Sequence, residues 1–426
     1  MIGVSGFREG GAAVLSARDR GASVELSNGM VRTEVDLLGG MMPEFGRKTE
    51  RGFMNAHWVP PFRGSGEWSP GLHQAFWNAK LLHHIAGDFL CCPNFGPPCQ
   101  VDGAALPPHG WTAVDTWRLL GSGADGQSAW ADFSLEPGDA SMNLAFLRRD
   151  FLLSGEPAYW SILEVRNRLD RPVSINVGRH NTLGPPFLEP GSRVGLCAET
   201  FMTPPPGTEF DATGRLETGA SFDSLERAPL RSGGFCDLRR VPGMVGATDF
   251  VSGPVPRGAD LGYSCATSPS TGLAYLCVFP GPAGLPDGEI ALSFNDLWMQ
   301  YGGRRFTPWA EAEGAPDRTF CLGTENATGA FANSLAWART RPEIMGSPTM
   351  VELPARGSRR LVYGVALAEV GKDAASAGID RVERISGGLE LLSPAGQTFL
   401  PLSADFGPAR RAFESLIRAA SGAGVA

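Results

Sequence analysis

The chain has 426 residues, 56 of them glycine and 34 proline, and a formal net charge of −8. That length can bury a sizeable core, and the glycine and proline content predicts many short strands joined by tight turns rather than long helices. An acidic balance without a sustained basic run argues against nucleic acid as a partner, and no stretch approaches the roughly 20 apolar residues that span a bilayer.

From Met1 to Arg20 the chain lacks the long apolar core of a secretory signal, so a cytoplasmic protein is expected. Eight cysteines, at 91, 92, 99, 197, 236, 265, 277 and 321, follow no regular spacing and are expected as reduced thiols. Ser23 to Leu38 alternates around Asn28-Gly29, the signature of a β-hairpin. Met41 to Phe62 has little period. In and after it, Trp58, Phe62, Trp68, Phe76 and Trp77 suit either a sugar-stacking platform or packing in a core or lid.

Five of the six histidines lie between residues 57 and 109. His83 and His84 cannot both face one site from an extended strand, because successive side chains point to opposite faces. His84, Asp88 and Asn94 are polar candidates for substrate contact. Cys91, Cys92 and Cys99 beside His83 and His84 lack the repeated C-x2-C spacing of structural zinc, so no metal is expected. Pro107-Pro108-His109-Gly110 holds a histidine in a stiff loop beside a residue that permits close approach.

Tyr159 to Gly178 reads as a hairpin that delivers His180 into Arg179-His180-Asn181-Thr182-Leu183-Gly184-Pro185-Pro186. A strand-end histidine suits acid or base work, and equally a structural hydrogen bond. Residues 204–262 read as irregular, with room for an inserted surface loop. Glu289 to Tyr301 is strand-like, and its Asn295-Asp296-Leu297-Trp298 offers polar groups beside an indole, as a pocket wall would. Cys321 to Phe331 places Glu325 at a strand end. Asn326-Ala327-Thr328 fits the N-glycosylation pattern, which is discounted without a secretory signal. Met350–Leu353 and Arg359–Glu369 read as a closing hairpin, and Ala409 to Ala420 as an amphipathic helix.

Three elements in this order, His109-Gly110, His180-Asn181 after a strand, and a late Leu322-Gly323-Thr324-Glu325, resemble the aldose 1-epimerase family of the galactose mutarotase-like superfamily. The resemblance covers residues 20–370. It implies an all-β supersandwich of antiparallel sheets with a sugar cleft, here as one domain over 1–426 with a C-terminal extension, 371–426, that carries the short helix. It also implies a small sugar as substrate and no cofactor. Thr182-Leu183-Gly184-Pro185-Pro186 departs from the family's aromatic and Asn-Leu, and no arginine follows Arg63 in the early segment. The substrate contacts are therefore expected to differ.

On this resemblance Glu325 is the base that takes the C1 hydroxyl proton, His180 the acid that protonates the ring oxygen, and His109 a donor to the developing charge. His84, Asp88, Asn94, Asn181, Asp296, Trp298 and Asn326 are the expected substrate contacts. Three alternatives share the fold or the residues. One is a carbohydrate-binding protein without turnover. Another is a hydrolase or lyase whose second carboxylate is Asp88, Asp296 or Glu189. The third is a metal-dependent isomerase using His83, His84, Asp88 or His109. A phosphorylated sugar would call for two or more cations at the rim, where Arg63, Arg179, Arg304 and Arg305 are the candidates.

Overall fold

Residues 15–50, 52–63, 80–208, 214–304, 309 and 319–422 are described, in a computed structural model of the chain. The long alternating runs pair into two eight-stranded antiparallel sheets. The first, the large sheet, runs in the order Val194–Leu196, Leu261–Ser268, Leu273–Pro280, Ser358–Glu369, Ala158–Asn167, Leu144–Leu153, Ser128–Leu135 and Arg118–Ala124. The second runs Ser221–Phe222, Phe201–Met202, Ala247–Pro254, Phe294–Tyr301, Phe320–Ala327, Gly178–Arg179 and Leu90–Cys91, with Thr182–Leu183 also paired to Phe320–Ala327.

Period two decides where the cores lie. In the large sheet Tyr159, Leu163, Val165, Tyr363, Val365 and Leu367 turn inward and meet Leu297, Met299, Tyr301 and Leu322 of the second sheet. Their neighbours Trp160, Ile162, Val362 and Ala366 turn outward. The C-terminal segment covers that outer face with a three-stranded sheet, Arg381–Ile385, Gly388–Ser393 and Gly396–Pro401, and a helix, Gly407–Gly422. Phe413 and Leu416 of the helix, with Val382, Leu389 and Leu391 of the small sheet, are buried there. The helix was legible as an amphipathic pattern; the three strands before it were not. No helix among the described residues is long and apolar enough to cross a membrane.

The hairpin expected around Asn28-Gly29 forms between Ser23–Ser27 and Val31–Asp36, with the Asn28 side chain accepting from the Met30 and Val31 amides. Two other expected hairpins do not form. Ala158–Asn167 pairs with Leu144–Leu153 and Ser358–Glu369, while Val173–Ile175 pairs with Val351–Leu353. Each arm of one expected hairpin thus pairs with an arm of the other. Strands buried on both faces need hydrogen-bond partners on both edges, and a hairpin supplies one. Within 204–262 the irregular reading holds for the middle, but Ala247–Pro254 is a full strand of the second sheet.

A polar layer is sealed between the two sheets. Arg179 and Asp88 form an ion pair with both side chains at most 1% exposed. The guanidinium lies 5.1 Å from the Tyr363 ring centroid and 5.9 Å from that of Tyr159. Because the Asp88 carboxylate offers acceptors alone, the Asn181 amide nitrogen belongs toward it, 3.2 Å from each oxygen. His57 continues the layer through Tyr275 OH at 3.0 Å and the Met42 carbonyl at 2.7 Å. Removing one partner strands the other charge, so Asp88→Ala should cost about 3–5 kcal/mol in urea unfolding, with Arg179→Met in the same chain recovering part of it. A loss below about 1 kcal/mol, the range of exposed pairs, would contradict the sealed geometry.

Candidate functional site

The other face of the second sheet carries the chemistry. The register pairs Asp296 with Glu325 and Trp298 with Gly323, so these residues share a face. Ala247–Pro254 adds Ser252 opposite Asp296. On the other side Arg179 pairs with Asn326 and Thr182 with Gly323, which sets His180 across from Glu325. Ser252, Asp296, Glu325 and His180 therefore form a row across adjacent strands. Gly323 leaves room in it: a Cβ there would come 2.8 Å from Glu325 Oε1.

His180 Nε2 lies 3.2 Å from Glu325 Oε1, and His180 Nδ1 lies 3.0 Å from the Thr182 hydroxyl. Phe89 stacks on the imidazole at 4.6 Å, and Trp298 meets it edge-on at 5.7 Å. The His109 ring stands 5.1 Å from that of His180 and nearly perpendicular to it, with Nδ1 3.4 Å from Cys91 Sγ. His109 has a left-handed backbone, φ 57°, and its amide donates to the Gly96 carbonyl at 2.9 Å. Gly110 must be glycine, since at φ 79° a Cβ would lie 2.3 Å from the Cys92 carbonyl oxygen.

Burial governs the protonation of the row. It holds the Glu325 carboxyl well above the usual range, reinforced by Asp296 beside it, and pushes Asp296 up to about 8. It pulls His180 well below the usual imidazole value, with His109 and Arg304 acting the same way, and brings His109 down to about 4. Glu325 Oε2 is buried without a hydrogen-bond partner, whereas Asp296 has the Ser252 hydroxyl and the Phe331 amide beside it. Arg304 lies over the indoles of Trp298 at 5.0 Å and Trp309 at 4.4 Å. Trp58 stacks on Trp309 at 5.8 Å, and Phe62 meets it edge-on at 5.2 Å. Trp58 and Phe62 are buried in this packed wall rather than spread as an open platform; Trp68, Phe76, Trp77 and Arg305 lie outside the described residues.

Of the expected site residues, His109, His180, Glu325, Asp296 and Trp298 come together. Five do not. Asp88, Asn181 and Asn326 point into the sealed layer between the sheets, where Asn326 donates to Asn295 Oδ1 at 2.7 Å. Asn94 is spent on loops: it donates to the Pro97 and Pro107 carbonyls and accepts from the Leu335 amide. His84 meets the Ala113 carbonyl at 2.9 Å, and it follows a 3-10 turn, Lys80–His83, not an extended strand. Of the carboxylates weighed as partners for Glu325, Asp296 shares its face, whereas Glu189 accepts from Ser268 and from the Ser270 amide. Among the described residues no three of His, Cys, Asp or Glu are grouped to hold a metal ion. Arg63 and Arg179 are engaged with Asp36 and Asp88, and Arg304 lies near enough to His180 to act on its charge.

No family model matches the sequence, and no curated protein matches it. The likeness lies in the backbone. A Klebsiella pneumoniae protein provisionally named an aldose 1-epimerase superposes with a TM-score of 0.58 at 11% identity, covering 82% of this chain and 80% of its own. A galactose mutarotase-like protein from Clostridium acetobutylicum gives 0.53 at 13% identity, over 84% and 99%. An Escherichia coli K12 protein, also provisionally named an aldose 1-epimerase, gives 0.52 at 15%, over 84% and 100%. The fold is the galactose mutarotase-like fold.

Within this mutarotase-like fold, sequence reasoning passed over Phe89, weighed Cys91 only as a metal ligand, and passed over Ser252 and Trp309. The first two had a signal: in Asp88-Phe89-Leu90-Cys91 strict alternation sends Asp88 and Leu90 inward and Phe89 and Cys91 to the site. Asp296 also carries a stability cost. In the fold it keeps its proton to about 8, while unfolded it ionises from 3.8, so the folded state loses stability as pH rises between these values. Asp296→Asn has no proton to lose and should raise Tm by about 1–3 °C at pH 8 and by less at pH 5. A gain independent of pH, or a loss at pH 8, would show that this carboxyl is solvated.

Proposed function

We propose that the protein interconverts the anomers of an aldose by acid/base ring opening, without a cofactor. The contact of His180 Nε2 with Glu325 Oε1 at 3.2 Å, with the His109 ring 5.1 Å from that of His180, carries this reading. The pair shares one proton. With the proton on His180, Glu325 takes the C1 hydroxyl proton while His180 delivers its own to the ring oxygen; the C1–O5 bond breaks and the C1 oxygen becomes the aldehyde. The C1–C2 bond then turns, and the same two transfers in reverse close the ring on the other face. His109 donates to the oxygen on which charge develops.

The burial of the pair favours the opening direction. A carboxylate and an imidazolium enter the step, and a neutral acid and a neutral imidazole leave it, which is the state a dry site prefers. Glu325 Oε2 brings a buried acceptor to the row without a donor of its own, and a sugar hydroxyl supplies one. The mutarotase-like backbone and the provisional names of its neighbours are consistent with this chemistry, which a fold alone does not determine.

Anomer exchange measured by NMR saturation transfer across neutral, acidic and phosphorylated aldoses tests the reading. Glu325→Gln and His180→Asn should each lower the rate by about 10² to 10⁴, with the sugar still bound. Line broadening without exchange in the wild type would make the protein a sugar binder and end the acid/base assignment. The pH profile adds a second check. The singly protonated pair persists over a widened range, because His180 is lowered and Glu325 raised. The rate should therefore hold as pH falls through 6.5, and an acid limb at that ordinary imidazole value would contradict the arrangement.

A further inference from the structure

The geometry points to Cys91 as the residue that fixes which nitrogen of His109 carries its proton, an inference that rests on the donor role proposed for His109. Cys91 sits on the short strand Leu90–Cys91, which pairs with Gly178–Arg179 so that Cys91 faces Gly178 on the site side. It is fully buried, and its sulfur lies 3.4 Å from His109 Nδ1. Three further rings pack around the half-buried imidazole, Phe89 at 5.7 Å, Phe95 at 5.7 Å and His180 at 5.1 Å, all steeply inclined to it. The Cys91 contact is therefore the polar hold on the imidazole, and it engages the nitrogen nearer the backbone.

The direction of this hydrogen bond follows from the chemistry of the two groups. Burial keeps the Cys91 thiol protonated. Sulfur is a weak acceptor, whereas an unprotonated imidazole nitrogen is a strong one. The Cys91 S–H accordingly donates to Nδ1, which obliges the neutral ring to carry its hydrogen on Nε2. His109 then presents an N–H donor, and not a lone pair, beside the His180 and Glu325 pair. Cys91 is a positioning residue: its thiol takes no part in bond making.

Histidine 15N NMR at neutral pH without any sugar reads the tautomer directly, with the His109 signals assigned by their loss in His109→Gln. Wild type and Cys91→Ser, which keeps an O–H donor, should show His109 as the Nε2–H tautomer, and Cys91→Ala a mixture of tautomers. Wild-type His109 in the Nδ1–H form would overturn the inference by itself, even if the alanine variant fails to fold. An unchanged tautomer in folded Cys91→Ala would overturn it too. In the anomer-exchange assay Cys91→Ala should lower kcat about 2- to 10-fold with KM little changed, and Cys91→Ser should restore most of it. If the wild type exchanges no aldose, the functional reading falls while the tautomer measurement still decides the role of Cys91.

Discussion

The ion pair of Arg179 with Asp88 is the constraint on which the site depends. A charged guanidinium between two sheets is tolerable only when its partner is fixed, and here the partner comes from a segment 91 residues earlier in the chain. Joining the two docks the Leu90–Cys91 strand against Gly178–Arg179. Alternation then does the rest. With Asp88 and Arg179 directed inward, Phe89, Cys91 and His180 are directed outward, which places the ring that stacks on His180 and the thiol that meets His109.

The two faces of this sheet treat charge in opposite ways. Inside, the ion pair, Asn181, Asn326 and the tyrosine hydroxyls bond to one another, with Arg179 Nε and the Thr324 hydroxyl left over. On the site face Glu325 Oε2 stays without a partner, and burial shifts the Glu325 and Asp296 carboxyls upward. Backbone strain gathers in the same neighbourhood. His109 is left-handed, and so are Phe331, Ala332 and Ser334 in the turn that leaves the Glu325 strand. That turn is tied down by Phe331 donating to Ser252 and by Ser334 donating to the Phe95 carbonyl. An unsatisfied acceptor and strained backbone held by a rigid surround are features that functional surfaces share.

The sequence reading found the row's most chemical members because their residue types are informative at strand ends and in stiff loops. His109 stood in Pro107-Pro108-His109-Gly110, His180 and Glu325 at the ends of alternating runs. It erred where it grouped sequence neighbours as one site. Asn181 beside His180 and Asn326 beside Glu325 face away from them, and the period-two rule that separated His83 from His84 in argument would have separated these pairs in fact. His84 escaped that rule because its segment is a 3-10 turn, and Asn94 because its amide is used to hold the His109 loop.

By itself the sequence determined the all-β character, the strand faces, the opening hairpin, the C-terminal helix and the order of His109, His180 and Glu325, since alternation, turn chemistry and helical period are local properties of the backbone. The tertiary structure decided which strands are neighbours, and so which residues meet: the two expected hairpins exchange partners, Asp88 answers Arg179, Cys91 answers His109 and Asp296 lies against Glu325. Such pairings are settled by where a buried strand edge or a buried charge finds its complement, and that complement lies tens of residues away, at a distance along the chain that no local pattern encodes.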